Sequence, residues 1–324
     1  MLSFSRLAHV FIAFSSLTSA VRVHDVFIVK AGTSKGGCDG HNVEQWFSDS
    51  QTLINSAAAG ARATDTDSRK YLQSFFSIKP NDDARQAGNV IDLVSRVLNG
   101  VQVPDGGQPR LFCDSDWLQK WSDAAYDEKT GQLMTDGTKV QDIFKEVKGE
   151  VPFWSDDLRQ YLNSPPGDYC SKDGYEAATQ EQTRPRTVTL CVKNFKADHQ
   201  DTLANLPAIT EEKVSISTLQ VHSLTLFHEM FHLTRGIGNT PDLNYALNGI
   251  VRMKTANAIR NPESYTFYAL AYYLGQKNDQ FTFATTNSKK KPANPKRSVS
   301  NSEKDMLAAF QVAKRDIPGN VWIA

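Results

Sequence analysis

His228 and His232 stand four residues apart with Glu229 beside the first, in the run Leu226-Phe227-His228-Glu229-Met230-Phe231-His232-Leu233. On an α-helix this spacing puts both imidazoles on one face, one turn apart. Two imidazole nitrogens so placed are half of a tetrahedral zinc site, and H-E-x-x-H is the helical form of that site. Glu229 then sits beside the ion, where a carboxylate can take a proton from a water that the ion polarises. One Zn2+ per chain is the expected cofactor. The alternative is a chance match on an ordinary amphipathic helix. The setting favours the metal, because Val214 to Leu233 is apolar and free of Gly and Pro, which predicts a buried helix over that run.

Two histidines leave a catalytic site short of a third protein ligand, with a further position open. Asp242 follows His232 by ten residues, and Gly236 and Gly238 let the chain turn back after the helix. Spacing alone leaves Asp242 open between a ligand and an N-cap for the next helix. Tyr245 could bring its hydroxyl beside the metal and stabilise a developing oxyanion. Glu263 is a rival ligand. Its other role is to support the site by accepting a hydrogen bond from a histidine ring N–H. His222, six residues before His228, faces away from the metal side and reads as structural.

Taken together, His228, Glu229 and His232, then Thr240, Asp242 and Tyr245 in T-x-D-x-x-Y, then Asn261-Pro262-Glu263-Ser264-Tyr265, resemble the deuterolysin family of fungal zinc endopeptidases, the aspzincins. The likeness is sharp over residues 222–274, loose over 38–221 and absent from the tail. It implies a mainly α (α+β), zincin-like metallopeptidase domain with a small β-sheet beside the H-E-x-x-H helix. It also implies Asp242 as third ligand, Tyr245 as oxyanion helper, and a peptide or protein substrate. The family pattern G-T-x-D-x-x-Y-G is altered here, since Asn239 separates Gly238 from Thr240 and Ala246 replaces the final glycine. Those changes leave a second possibility: a secreted zinc-binding or effector protein that keeps the site without cleaving. Retention of Glu229 favours the enzyme, since metal binding alone does not need it.

Other elements must position these residues. Periodicity predicts helices over 42–63, 84–98, 245–258 and 264–274, and a short one over 153–162. The aromatics of the 264–274 helix are expected to be core. Val21 to Lys30 and Thr187 to Val192 alternate as short strands. The second of these lies upstream of the metal helix. A strand there is either plain structure or an edge that holds an extended peptide by main-chain hydrogen bonds.

The N-terminal twenty residues, with Arg6 before the apolar run Leu7–Leu17 and small residues at Thr18-Ser19-Ala20, read as a secretory signal peptide. The chain then divides into 1–20, a metallopeptidase domain over 21–275, and a basic, weakly structured tail over 276–324. Val21 to about Lys35 is the piece expected to go if a propeptide is removed. Four cysteines in a secreted chain predict two disulfides. Of three connectivities, Cys38–Cys113 with Cys170–Cys191 closes loops without crossing. A formal charge of zero argues against nucleic acid, and nothing after residue 20 is long and apolar enough to span a bilayer. A secreted monomer is expected.

Overall fold

The computed structural model describes residues 21–103, 107–118, 124–143, 152–163 and 168–292; the expected signal peptide and the tail beyond 292 lie outside them. From the amino end the elements are α1 (Val23–Val26), β1 (Ile28–Val29), α2 (Val43–Arg62), α3 (Thr66–Phe76), α4 (Arg85–Leu98), β2 (Arg110–Phe112) and α5 (Val140–Ile143). Then come β3 (Pro152–Ser155), β4 (Gln160–Asn163), β5 (Ala177–Gln180), β6 (Thr187–Leu190) and α6 (Ser223–Arg235). The chain continues through α7 (Leu247–Ile250), α8 (Thr255–Ala258), α9 (Pro262–Lys277), β7 (Phe281–Thr282) and β8 (Lys289–Lys290). This is an α+β arrangement with small sheets.

Helix α2 is the hub, packed against α4, α6 and α9. Its buried face carries Trp46, Phe47, Leu53, Ile54 and Ala57 at helical spacing. Asp49 of α2 is buried and accepts hydrogen bonds from Leu203 N (2.8 Å) and Ser223 Oγ (3.0 Å), which ties the start of α6 to the hub. Helix α3 starts where the Asp65 carboxylate accepts from Asp67 N (3.1 Å) and Ser68 N (2.9 Å). Helix α9 buries Tyr265, Phe267 and Tyr268, so its aromatic run is core, as expected.

The main sheet has the order β1-β2-β6-β5, with β1, β2 and β6 parallel and β5 antiparallel to β6. Val188 is opposite Leu111 on one side and Thr179 on the other. The strand expected over 187–192 therefore exists, ending at Leu190, but it is interior, and the edge beside α6 is β5. Both disulfides form in the expected pairing, Cys38–Cys113 and Cys170–Cys191.

Several expectations are corrected. Residues 153–162 form a hairpin, not a helix, because Trp154 pairs across the strands with Tyr161, their rings 5.0 Å apart, and Arg159 adopts a left-handed turn (φ 54°). The metal helix starts at Ser223, not Val214. The backbone upstream is taken by pairing with another segment: Ser288 N donates to Val214 O, and Ser215 bridges Asn287. The expected helix over 245–258 is two single turns, α7 and α8. Val21 to Lys30 is one helical turn followed by a two-residue strand. Its Val23, Val26 and Phe27 are buried in the core. The chain does not loosen at 275 either. α9 runs through it, β7 pairs with β8, and Phe281, Phe283 and Ala284 are buried.

Candidate metal centre

Helix α6 presents two faces. Leu226, Phe227, Met230, Phe231 and Leu233 are fully buried against its neighbours, while His228, Glu229 and His232, also buried, converge on the other side. The candidate ligand atoms of these three lie within 4.8 Å of one another, so the group could hold a metal ion. The two histidine Nε2 atoms are 3.2 Å apart.

Asp242 arrives from the loop after α6. Gly236 ends the helix with φ 79°, its N–H bonded to His232 O. A side chain there is strained by the positive φ, and Glu181 Oε2, 2.5 Å from where a Cβ would sit, would have to move aside. Asn239, between Gly238 and Thr240, caps the helix by donating to Arg235 O (2.9 Å). The chain then runs through Thr240 to place Asp242 Oδ1 3.0 Å from His228 Nε2 and 3.1 Å from His232 Nε2. Asp242 is not the cap of the next helix, since Ala246 occupies that position. Ala246 N bonds to Asn244 Oδ1 (2.9 Å) in the turn that precedes that helix.

The outer nitrogens of both rings are spoken for. Glu263 Oε2 accepts from His228 Nδ1 at 2.9 Å. Thr240 Oγ1 donates to Gly236 O (2.9 Å) and so accepts from His232 Nδ1 (3.1 Å). With both rings neutral and protonated at Nδ1, both Nε2 lone pairs would face inward beside Asp242 Oδ1, as a metal ion requires. Three acceptors thus form a triangle with edges of 3.0, 3.1 and 3.2 Å. Tetrahedral zinc with ligands at about 2.0–2.1 Å separates its donors by about 3.3 Å. The residues fit such an ion.

The electrostatics make the same demand. Burial favours a neutral His228 ring, yet hydrogen bonds to Asp242 and Glu263 raise its pKa to about 10. Burial opposes ionisation of Asp242, yet its bonds to both histidines hold the carboxyl well below the usual range. The site therefore favours positive charge beside Asp242, which a protonated His228 ring supplies and which a bound cation would supply in its place. Glu263 lies behind His228, bonded to the ring edge remote from the triangle, as a supporting acceptor rather than a third ligand.

Comparison with protein-family profiles, curated proteins and solved structures returns no match. What the site can do is therefore read from its own side chains.

Tyr245 lies over the site, its ring stacked on His228 at 5.7 Å and 16°, and 61% exposed. Burial of its hydroxyl and then the Asp242 carboxylate push its pKa far up, so the phenol stays a donor. His222 stands at the N-cap position of α6, with Nε2 3.1 Å from Lys196 O and its ring against Trp46 and Phe195, outside the metal group.

Two participants were not identified from sequence. Asn261 is fully buried at the N-cap of α9, where its Oδ1 accepts from Leu243 N (3.0 Å) and Asn244 N (3.1 Å) and its Nδ2 donates to Asn244 O (3.1 Å). It holds the loop that carries Asp242 and Tyr245. Thr179, on β5, has its hydroxyl 2.6 Å from Glu229 Oε2. The Asn261 segment was at least visible as part of the motif. Nothing local marks Thr179, fifty residues before its partner.

Proposed function

We propose that this chain is a secreted zinc endopeptidase of the aspzincin type. The observation that carries the proposal is the triangle of His228 Nε2, His232 Nε2 and Asp242 Oδ1 with the Glu229 carboxylate beside it. Those three atoms would hold one zinc ion. When bound, zinc polarises a peptide carbonyl and lowers the pKa of water at its open position. Glu229 takes a proton from the attacking water and returns it to the leaving amide nitrogen as the C–N bond breaks. Tyr245 donates its phenolic hydrogen to the oxygen that gains negative charge, a contribution of about 2–4 kcal/mol by analogy with other oxyanion donors. Edge strand β5 runs beside α6 and offers main-chain groups along which an extended peptide can lie. Two disulfides accord with an oxidising, extracellular destination. No described helix is long and apolar enough to cross a membrane.

The test is proteolysis of an unfolded protein such as casein, with and without a chelator and after zinc is restored. Cleavage should stop and return. Glu229→Gln should keep one zinc per chain and lose turnover, and a variant that still cleaves at the parent rate would sink the mechanism. A zinc-loaded parent that cleaves nothing would instead favour the binding or effector protein.

A further inference from the structure

We infer, building on the peptidase reading, that Thr179 is a positioning residue for the general base. The Thr179 hydroxyl carries one proton and faces two acceptors, Glu229 Oε2 at 2.6 Å and Glu229 O at 3.4 Å. The near, charged oxygen takes it. The bond holds Oε2 toward β5 and uses one of its lone pairs, so Oε1 is the oxygen better placed to receive a proton from water.

The tether is stiff at its other end. Thr179 is 5% exposed, and its β-branched side chain has few accessible χ1 positions. Its backbone sits opposite Val188 in the sheet. The strand lies inside the loop closed by Cys170–Cys191. Without the tether the carboxylate is free to turn about its last torsion, a broad two-fold rotor. Catalytic groups tolerate little of this, since a misplacement of about 1 Å can cost a hundredfold in rate. Thr179 sits on the strand proposed to hold the peptide, so the same strand would align the bond to be cut and the base that serves it.

Thr179→Val removes the hydroxyl and keeps the shape; Thr179→Ser keeps the hydroxyl. With a peptide substrate, the valine variant should lose about ten- to a hundredfold in kcat with KM unchanged. The serine variant should stay within about threefold of the parent. Zinc affinity should be unaltered in both, because Glu229 is not a ligand in this scheme. A merely structural threonine would instead change KM, zinc content or thermal stability. A valine variant with parental kcat would overturn the inference, as would a serine variant no better than the valine one.

Crystal structures of the zinc-loaded parent and of Thr179→Val provide a readout that does not depend on turnover. The Glu229 carboxylate should hold one orientation in the parent and leave it in the variant. An unmoved carboxylate would overturn the tether even if the parent proved to cleave nothing, an outcome that by itself would count against the peptidase reading alone.

Discussion

Asn261→Ala tests how the third donor is held. Asn261 makes four side-chain hydrogen bonds, accepting from Leu243 N (3.0 Å) and Asn244 N (3.1 Å) and donating to Asn244 O (3.1 Å) and Ser264 Oγ (3.2 Å). Three of them fix the backbone next to Asp242. At about 0.5–1.5 kcal/mol net each, the four together stabilise the closed loop by about 2–6 kcal/mol. Alanine removes all four and leaves two amides and a carbonyl to find water, so the loop should open part of the time and take Asp242 with it. Zinc affinity should fall about ten- to a hundredfold, the usual effect of losing a group that supports a metal ligand. Asn261→Asp keeps the two acceptor contacts and loses the donors, so it should fall in between. Affinity is measured by competition with a chromophoric chelator, and thermal unfolding of the metal-free protein separates loop opening from global loss. Affinity within threefold of the parent in Asn261→Ala, alongside clear weakening in Asp242→Ala, would refute Asn261 as the clamp.

Three further outcomes test the scaffold. Replacing both Cys170 and Cys191 by serine opens a loop with a sequence separation of 21, which should cost about 3 kcal/mol in urea unfolding and, because β5 lies in that loop, lower turnover as well. Asp65→Ala should cost about 1 kcal/mol at neutral pH through loss of the α3 cap. Burial opposes ionisation of Asp65, but the Ser68 and Asp67 amides hold its pKa below the ordinary value. Its stabilisation is therefore full above about pH 3.9 and fades as pH falls through the lowered folded value, so parent and variant should converge in acid melts. Truncation after Gly275 should give an unfolded product by circular dichroism, because it cuts α9 and discards the buried Phe281, Phe283 and Ala284 together with Lys291, whose Nζ bonds Gly275 O (2.7 Å) and Asn278 O (2.6 Å).

What the sequence made legible was local. The four-residue spacing of His228 and His232 needs only helix geometry, and α2, α4 and α9 follow from apolar periodicity within single segments. Readings failed where a segment's fate was set by a distant one. Val214–Gln220 is apolar enough for a helix, but its backbone is engaged by residues 286–288 and by Gln200. Residues 153–162 carry aromatics at spacings that suit one helix face and a cross-strand pair equally, and Trp154 against Tyr161 decided for the hairpin. Strand β5 was hidden in a polar stretch because only one of its four residues, Thr179, is buried. For the same reason the Thr179–Glu229 contact could not be read from composition or period.

The centre assembles from four parts, each of which fixes a different atom. Helix α6 sets the distance between the two Nε2 atoms by its pitch alone. The loop over 236–245 supplies Asp242, and it is restrained on three sides: by Asn261 of α9, by Arg260 Nη2 donating to Gly238 O (2.9 Å), and by Glu181 Oε2 accepting from Ile237 N (2.9 Å). Strand β5 and the residue that follows it thus touch the site at both ends, Thr179 at the base and Glu181 at the loop. A perturbation of the sheet edge should therefore reach the orientation of Glu229 first, through one stiff side chain. It should reach the metal ligands only weakly, because Asn261 and Arg260 hold their loop independently. Lesions at β5 should accordingly depress turnover while sparing zinc, and lesions at the start of α9 should do the reverse in order, loosening zinc before anything else. Under the peptidase reading, metal capture and base alignment should be separable, because the loop carrying Asp242 is anchored by Asn261 and the Glu229 carboxylate by Thr179 of β5.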